Sequence, residues 1–362
     1  MRSLTLALAL FGLVGCSCGG APGAGPAPLP PPPAPPAAYE VHEWGLLRAE
    51  PGDALRAGAI APPVVLEPLA VDKPVLYFHA DAALVLRSAL VSAPPGASIV
   101  ETWPALAAGT SARWDGVSLS PGGACTPSPL PTASEPPCAG LPAGDQCEST
   151  GLAVVRTSDA ACVTVGATTE RFLFYRGRAT AMTPPLVFER AGSSGDVRVT
   201  NESGDAIPGQ LVRLWSSGGR TRTLAVAPPA PHASIVVHTD FPDATATADD
   251  QPPPVQDHST LPSNVAPARD AIRATMLGLG LTASEVDAFL AAWSDTLLGR
   301  DGTMDVDSLG ADAPRAPTES FVYFLPAPAT EGVARLAFDP PPRAVHRALA
   351  VWSRLRASGA SH

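Results

Sequence analysis

The sequence predicts a mainly β protein, in which an antiparallel β-sandwich-like region is followed by a smaller α+β region with a helical hairpin. From residue 39 onward, short runs rich in β-branched and aromatic residues alternate with turn signals, which is typical of antiparallel sheets. After residue 262, apolar residues instead recur at helical spacing. The 43 Pro and 32 Gly among 362 residues also favour short elements and long loops over a helical protein.

The chain begins with a leader, residues 1–15, in which Arg2 precedes the uncharged apolar run 4–14. A positive start followed by a short apolar run is typical of a secretory signal peptide. A helix of that run covers only about 16 Å, roughly half of the hydrocarbon core of a bilayer. We therefore interpret the leader as a signal peptide and not as a permanent transmembrane span.

The leader ends in Leu13-Val14-Gly15-Cys16, which resembles the lipobox of bacterial lipoproteins. The resemblance implies that Cys16 carries the lipid and becomes the first residue of the mature protein. The membrane is then a partner through this lipid, and the protein belongs to the cell envelope. Ser17 stands where some lipoproteins carry the aspartate that retains them at the inner membrane, so the resemblance favours the outer membrane. The alternative is an ordinary cleaved signal peptide.

Residues 16–38 combine Cys16 with a tract of glycine, alanine and proline that has no charge and no aromatic residue. Such a tract prefers an extended polyproline II conformation, in which twenty residues reach about 60 Å. We interpret it as a stalk between the lipid and the folded region. A proline-rich ligand for a partner domain is the alternative.

The charge balance excludes one broad class of function. The chain carries 24 basic and 34 acidic side chains, for a formal net charge of −10. Nucleic-acid binding depends on Lys and Arg that neutralise phosphates, so we do not expect a nucleic-acid partner.

Four cysteines lie within a short, proline-rich part of the exported chain: Cys125, Cys138, Cys147 and Cys162. An oxidising compartment favours two disulfides, which would hold a loop with little apolar periodicity. Spacing does not choose among the three possible connectivities. A four-cysteine zinc site is the rival interpretation, although the sequence has no C-x-x-C pair.

The element pattern divides the folded part into three segments. Residues 39–239 form the β-sandwich-like region, residues 240–262 are an acidic, proline-rich linker, and residues 263–356 form the α+β region. In the last segment, Gly280 suits the end of the first helix of a hairpin, and Thr282 and Glu285 predict a capping box at the start of the second helix. Residues 344–355 fit either a helix or a strand.

A second resemblance concerns the body of the chain. The stretches VHEWGLL, KPVLYFHA, RFLFYRG, FLAAWSDTLL and FVYFLP, in this order, are similar to the landmarks of a family of secreted bacterial proteins without an assigned activity. The resemblance covers most of residues 39–350 and supports treating them as one evolved unit. It implies no catalytic residue.

Common catalytic signatures are missing from the sequence. It contains no G-x-S-x-G, S-x-x-K, H-E-x-x-H or G-x-x-x-x-G-K-[ST] motif, and nothing in it predicts a cofactor. The aspartates of residues 301–310 suggest calcium, but aligned as an EF-hand from Asp305 the segment lacks the oxygen ligands at positions five and twelve. An irregular calcium loop is the remaining alternative there.

The strongest chemical candidates are three pairs of a histidine and an acid: His42-Glu43, His79 with Asp81, and His238 with Asp240. Imidazole and carboxylate together can bind zinc or exchange protons. Side chains alternate across a strand, so His79 and Asp81 share a face whereas His42 and Glu43 do not. A structural histidine is the default interpretation of each.

These observations predict a lipid-anchored envelope protein that acts as a binding or structural module without turnover. Trp44 and Trp103 could contact an envelope protein or a glycan, although tryptophan is more often a core residue. The alternative is a secreted metal-dependent hydrolase that uses His42, His79 and Asp81.

Overall fold

A computed structural model describes most of the chain from residue 39 to residue 355. The leader, Cys16, the stalk, the linker 240–262 and the aspartates of 301–310 lie outside the described residues. The described ranges are 39–49, 69–121, 125–141, 147–157, 159–179, 184–191, 196–217, 220–238, 265–298 and 318–355.

The protein is mainly β, as the sequence predicts. The first strands are β1 (Tyr39–Ala49), β2 (Leu69–Ala80), β3 (Leu84–Ser92), β4 (Ala97–Trp103), β5 (Ser111–Ser120), β6 (Cys162–Val165), β7 (Thr168–Glu170) and β8 (Leu173–Ala179). They are followed by β9 (Leu186–Ala191), β10 (Asp196–Asn201), β11 (Leu211–Ser217), β12 (Arg220–Val226), β13 (Ser234–Val237), β14 (Thr318–Phe324), β15 (Arg335–Asp339) and β16 (Ala344–Leu355). The α-helices are α1 (Ala266–Gly278), α2 (Ala283–Leu298) and α3 (Ala327–Val333), and 3₁₀ segments span Cys138–Gly140 and Glu148–Val155.

The strands form three sheets. The largest has the order β12-β11-β14-β16-β1-β2-β8-β4, and the smaller ones have the orders β13-β10-β9 and β15-β3-β5-β6-β7. The pairings within them are antiparallel, except that β1 and β16 run parallel. This parallel pair joins the first and last described strands at the centre of the large sheet.

The large sheet is covered on both faces. One face packs against the two smaller sheets around a core that includes Trp114, Phe188 and Val351. The other face packs against α1, α2 and the second 3₁₀ segment around Trp44, Phe289 and other apolar residues. We call these the sandwich face and the helix face.

The regions 39–239 and 263–356 share this sheet. Strands β14 and β16, from the later region, lie between β11 and β1, from the earlier one. All the described residues belong to one compact unit. The change at residue 240 therefore marks a change from strands to helices and does not separate two sheets. Residues 344–355, which fit a helix or a strand, form β16.

Alternation along β1 assigns each residue to a face. Val41 lies in the sandwich core, and the neighbouring Glu43 accepts a hydrogen bond from Tyr175 in the buried interior. Trp44 lies in the core of the helix face and is fully buried, so this tryptophan has no surface to offer an envelope partner. His42 lies between these residues and points to the helix face.

The predicted helical hairpin is present, and both of its end signals form. Helix α1 ends in a Schellman motif, in which Gly280 N–H donates to Leu277 O (3.0 Å) and Leu281 N–H to Met276 O (3.2 Å). Gly280 has a φ of +93°, which this motif requires and glycine adopts without strain. Two residues later the Thr282–Glu285 capping box begins α2.

The two predicted disulfides form, with one of the three connectivities left open by the sequence. Cys125 pairs with Cys162, and Cys138 pairs with Cys147. Their Cα atoms are 5.5 and 5.2 Å apart, within the usual range for a disulfide.

Helices in the described part of the chain are all too short or too polar to cross a bilayer.

Candidate metal centre

Three adjacent strands bring titratable side chains together at one end of the helix face. His42 in β1 is the register partner of His346 in β16, across the parallel pair. Glu40 in β1 is the register partner of His79 in β2. Because residues two apart in a strand share a face, all four side chains lie on the same side of the sheet.

Helix α2 adds a fifth side chain, Glu285. Its Oε2 accepts a hydrogen bond from the backbone N–H of Thr282 at 2.8 Å, which is half of the capping box. The same carboxylate contacts His42 Nδ1 and His79 Nε2, both at 2.8 Å. An ionised carboxylate can only accept hydrogen bonds, so both histidines donate to Glu285.

The hydrogen bonds decide the charge of Glu285. Burial opposes ionisation, but the bonds from His42 and His79 outweigh it and lower the pKa of Glu285 to about 2. Burial also disfavours the charged form of His79, but its hydrogen bond and its attraction to Glu285 raise the pKa of that imidazole. Glu285 is therefore a carboxylate throughout the physiological pH range.

The tautomer of His42 leaves one nitrogen without a hydrogen-bond partner. With its proton on Nδ1, donated to Glu285, a neutral His42 carries a lone pair on Nε2. Nε2 is buried and makes no hydrogen bond, and the residue is only 4% exposed. Buried polar atoms are nearly always partnered, so in the neutral imidazole this lone pair is open to an electropositive group.

Glu40 and His346 face that lone pair. The Oε2 of Glu40 lies 3.7 Å from His42 Nε2 and 3.9 Å from His346 Nε2. The imidazole of His346 stands edge-on to that of His42, with ring centroids 4.9 Å apart. Arg343 Nε donates to the other oxygen of Glu40 at 2.9 Å and lowers the pKa of Glu40. Three potential ligand atoms therefore converge: two imidazole nitrogens and one carboxylate oxygen.

Two sets of residues here have ligand atoms within 4.8 Å of one another: Glu40, His42 and His346, and His42, His79 and Glu285. The distances within each set show which of them could hold an ion. The contacts of His42 and His79 with Glu285 are hydrogen bonds, which leave no gap for an ion. The two distances from Glu40 Oε2 to His42 Nε2 and His346 Nε2, 3.7 and 3.9 Å, are too long for hydrogen bonds. They come close to the spacing of about 3.4 Å between ligand atoms that lie about 2.1 Å from a tetrahedral zinc. The metal-like set is therefore Glu40, His42 and His346.

The structure brings together only two of the predicted ligands. His42 and His79 are neighbours, with ring centroids 4.3 Å apart. Asp81 does not supply the carboxylate, because it pairs with Arg343, whose Nη1 lies 3.1 Å from it. Instead, Glu40 faces the lone pair of His42, and Glu285 orients the ring. His42 and Glu43 point to opposite faces, as alternation predicts.

The other candidates lie elsewhere or serve the fold. His238 is exposed and lies 3.2 Å from Asp196, and Asp240 lies outside the described residues. Glu101 lies close to Cys138 and Cys147, but these cysteines form a disulfide. Trp103 donates to Glu170 at 3.3 Å.

Sequence reasoning missed Glu40, His346 and the contacts of Glu285. Glu40 precedes His42 by two residues, and this same-face spacing was available as a signal. Glu285 was identifiable as a cap, but nothing local links it to a histidine more than two hundred residues away. His346 joins the site only through the parallel pairing of β1 and β16.

No protein-family model matches the chain, and no curated protein sequence matches it. The chemistry of the site and the leader therefore indicate the function.

Proposed function

We propose that this protein is a lipid-anchored cell-envelope protein that binds one divalent transition-metal ion through Glu40, His42 and His346. The observation that carries the proposal is the buried Nε2 of His42. This nitrogen makes no hydrogen bond. Glu285 holds the imidazole ring in place, and the carboxylate of Glu40 and the imidazole of His346 lie beside the ring.

The donor set favours the zinc class of metals. Imidazole nitrogens suit zinc, cobalt, nickel and copper, whereas calcium and magnesium prefer oxygen ligands alone. Two histidines and one glutamate are also a known ligand set of catalytic zinc, which keeps a further position for water. Both Glu40 and His346 are partly exposed, so water can reach the ion from their side.

A metal titration tests the site. Purified, chelator-treated protein is titrated with Zn²⁺ by calorimetry and with Co²⁺ by visible absorption, beside His346→Ala and the exposed-histidine control His238→Ala. We expect one ion per chain for wild type and for His238→Ala, and affinity at least tenfold lower for His346→Ala. Equal affinity of the two variants, or no binding by wild type, would overturn the proposal. Two ions per chain would require a second site and contradict the expected stoichiometry.

A metal-dependent hydrolase is the second candidate, because the partly exposed edge of the site leaves room for a metal-bound water. Zinc lowers the pKa of such a water to about 7, which supplies hydroxide near neutral pH. Relative to the sequence-based hypothesis, Glu40 and His346 replace His79 and Asp81 as ligands. Ester and amide substrates should be cleaved only by the metal-loaded wild type. Cleavage that is equally fast in chelated protein or in His346→Ala would dismiss this candidate.

The anchor is supported by the leader and by Cys16. Each buried methylene contributes about 0.8 kcal/mol, and two or more acyl chains hold a protein stably at a membrane. The net charge of −10 offers no electrostatic substitute at an anionic surface. We assign the protein to the outer membrane on the basis of Ser17.

Fractionation with intact-mass measurement tests the anchor independently of the metal. Wild type should partition into detergent, incorporate labelled fatty acid and stay with membranes in high salt. Cys16→Ser should lose the lipid, whereas Cys18→Ser, a cysteine two residues away, should keep it. Wild type recovered unlipidated in the soluble fraction would reject the anchor and leave the metal site untouched.

A further inference from the structure

We propose that the turn between α1 and α2, together with the first turn of α2, orients the metal ligands: Gly280 positions His346 and Glu285 positions His42, each with Nε2 directed at the ion. Both are positioning residues and neither is a ligand. The inference rests on the proposed metal-binding function and deepens it.

Glu285 sets the tautomer of His42. By accepting the Nδ1 proton at 2.8 Å, the carboxylate keeps the lone pair on Nε2, the nitrogen that faces Glu40. Carboxylates in this position orient metal-binding imidazoles and raise their basicity. Without Glu285, neutral His42 could place its proton on Nε2 and lose its ligand atom.

Three groups hold Glu285 itself in place: the ring of His42, the ring of His79 and the backbone of Thr282. Its Oε2 also accepts the backbone N–H of Thr282, and its Oε1 accepts a hydrogen bond from His79 Nε2. The carboxylate is fully buried. Because the capping box fixes it to the first turn of α2, the start of this helix determines where His42 points. His79 thus belongs to the support of the site and not to its ligands.

Gly280 acts on the second ligand, His346. A Cβ placed on Gly280 would lie 2.2 Å from His346 Nδ1 and 2.8 Å from its Cε1. The backbone of the turn therefore lies directly against the Nδ1 edge of the imidazole. This contact leaves the Nε2 edge facing Glu40. A side chain at position 280 would push the ring away.

Glu285→Gln is the decisive variant. Glutamine preserves the shape of the side chain and is accepted in capping boxes, so α2 should still form. Its neutral amide binds the Nδ1 proton of His42 less strongly than a carboxylate does. We expect Zn²⁺ affinity to fall 10–100-fold, as for other outer-shell partners. Asp287→Asn makes the same acid-to-amide change on the exposed side of α2, where Asp287 pairs with Arg273, and should leave affinity unchanged.

A second readout separates positioning from general loss of stability. In metal-free protein, ¹⁵N NMR of the histidine rings should show His42 protonated on Nδ1 in wild type and in Asp287→Asn. In Glu285→Gln, a population protonated on Nε2 should appear. A merely structural role for Glu285 would not shift this ratio in protein that remains folded.

Gly280→Ala provides an independent test should Glu285→Gln fail to fold. It should weaken Zn²⁺ binding more than Gly166→Ala does. Gly166 also has a positive φ, of +58°, so the backbone strain is matched, but a Cβ there meets no atom within 4 Å. The far-ultraviolet circular dichroism of the two variants should match.

The outcomes distinguish this inference from the function on which it rests. If wild type binds no metal, both fail. If wild type binds one ion, His346→Ala does not, and Glu285→Gln matches wild type in affinity and tautomer, the site stands and the positioning role is wrong. Equal Zn²⁺ affinity of wild type and Gly280→Ala would remove the role of the turn at His346.

Discussion

At the scale of single residues, the protein buries several carboxylates and partners each in a different way. Glu43 accepts hydrogen bonds from Tyr175 and Arg347 on the sandwich face. Glu101 accepts from the backbone and hydroxyl of Ser149 and from Arg176. Glu285 has two histidines instead of an arginine. A buried carboxylate is tolerated only with such partners. Of these three, Glu285 is the one whose side-chain partners can also bind metal.

Glu285 should make the metal-free protein sensitive to acid. Its folded pKa of about 2 lies below its ordinary value of 4.5. Its contribution to stability is therefore complete above about pH 4.5 and is lost as the pH falls towards 2. The size is on the order of 3 kcal/mol, at 1.36 kcal/mol per pKa unit. Urea unfolding of chelator-treated wild type at pH 7 and pH 3 measures the part of this loss that is complete by pH 3, together with that of other carboxylates.

The matched variants isolate the contribution of Glu285. Glu285→Gln should be less stable than wild type at pH 7. The difference should shrink by pH 3, because the carboxylate is then protonated in the unfolded chain while it is still mostly ionised in the folded protein. Asp287→Asn should follow wild type at both values. A gap between wild type and Glu285→Gln that is constant with pH would show that the ionisation of Glu285 does not stabilise the fold.

At the scale of elements, local signals predicted local structure. The hairpin followed from helical periodicity, a glycine end and a capping box, all of which act within a few residues. The disulfide pairing and the parallel contact of β1 with β16 depend on partners distant in the chain, which periodicity does not specify. For this reason residues 344–355 fitted two structures, and His346 was not recognised as the neighbour of His42.

The disulfides should stabilise the protein unequally. Cys125 and Cys162 are 37 residues apart, and Cys138 and Cys147 are nine apart. Constraint of the unfolded chain contributes up to roughly 4 kcal/mol for the longer loop and roughly 2.5 kcal/mol for the shorter one. Urea unfolding should therefore show a greater loss of stability for the Cys125→Ser, Cys162→Ser double variant than for Cys138→Ser, Cys147→Ser. The reverse order would indicate that native contacts outweigh loop closure.

At the scale of the whole molecule, both ends of the described chain lie in the middle of one sheet. Strand β1 pairs with β16 on one side and β2 on the other, and β14 links β16 to β11. The helix face of this sheet is covered by α1 and α2. The proposed metal ligands come from β1 and β16, so metal binding should stabilise the pairing of these two strands.

This architecture predicts that residues 39–239 do not fold alone, even though the sequence marks them as a region of their own. Without the later region, β1 and β11 lose β16 and β14, and buried residues such as Trp44 and Tyr77 lose the helices that cover them. Exposed strand edges and apolar faces of this kind lead to aggregation. The 39–239 chain should therefore be insoluble or lack a cooperative thermal transition, whereas residues 39–356 should unfold cooperatively. A soluble 39–239 chain with dispersed amide NMR signals and cooperative unfolding would show that the sandwich is an independent domain and that β14 and β16 only add to it.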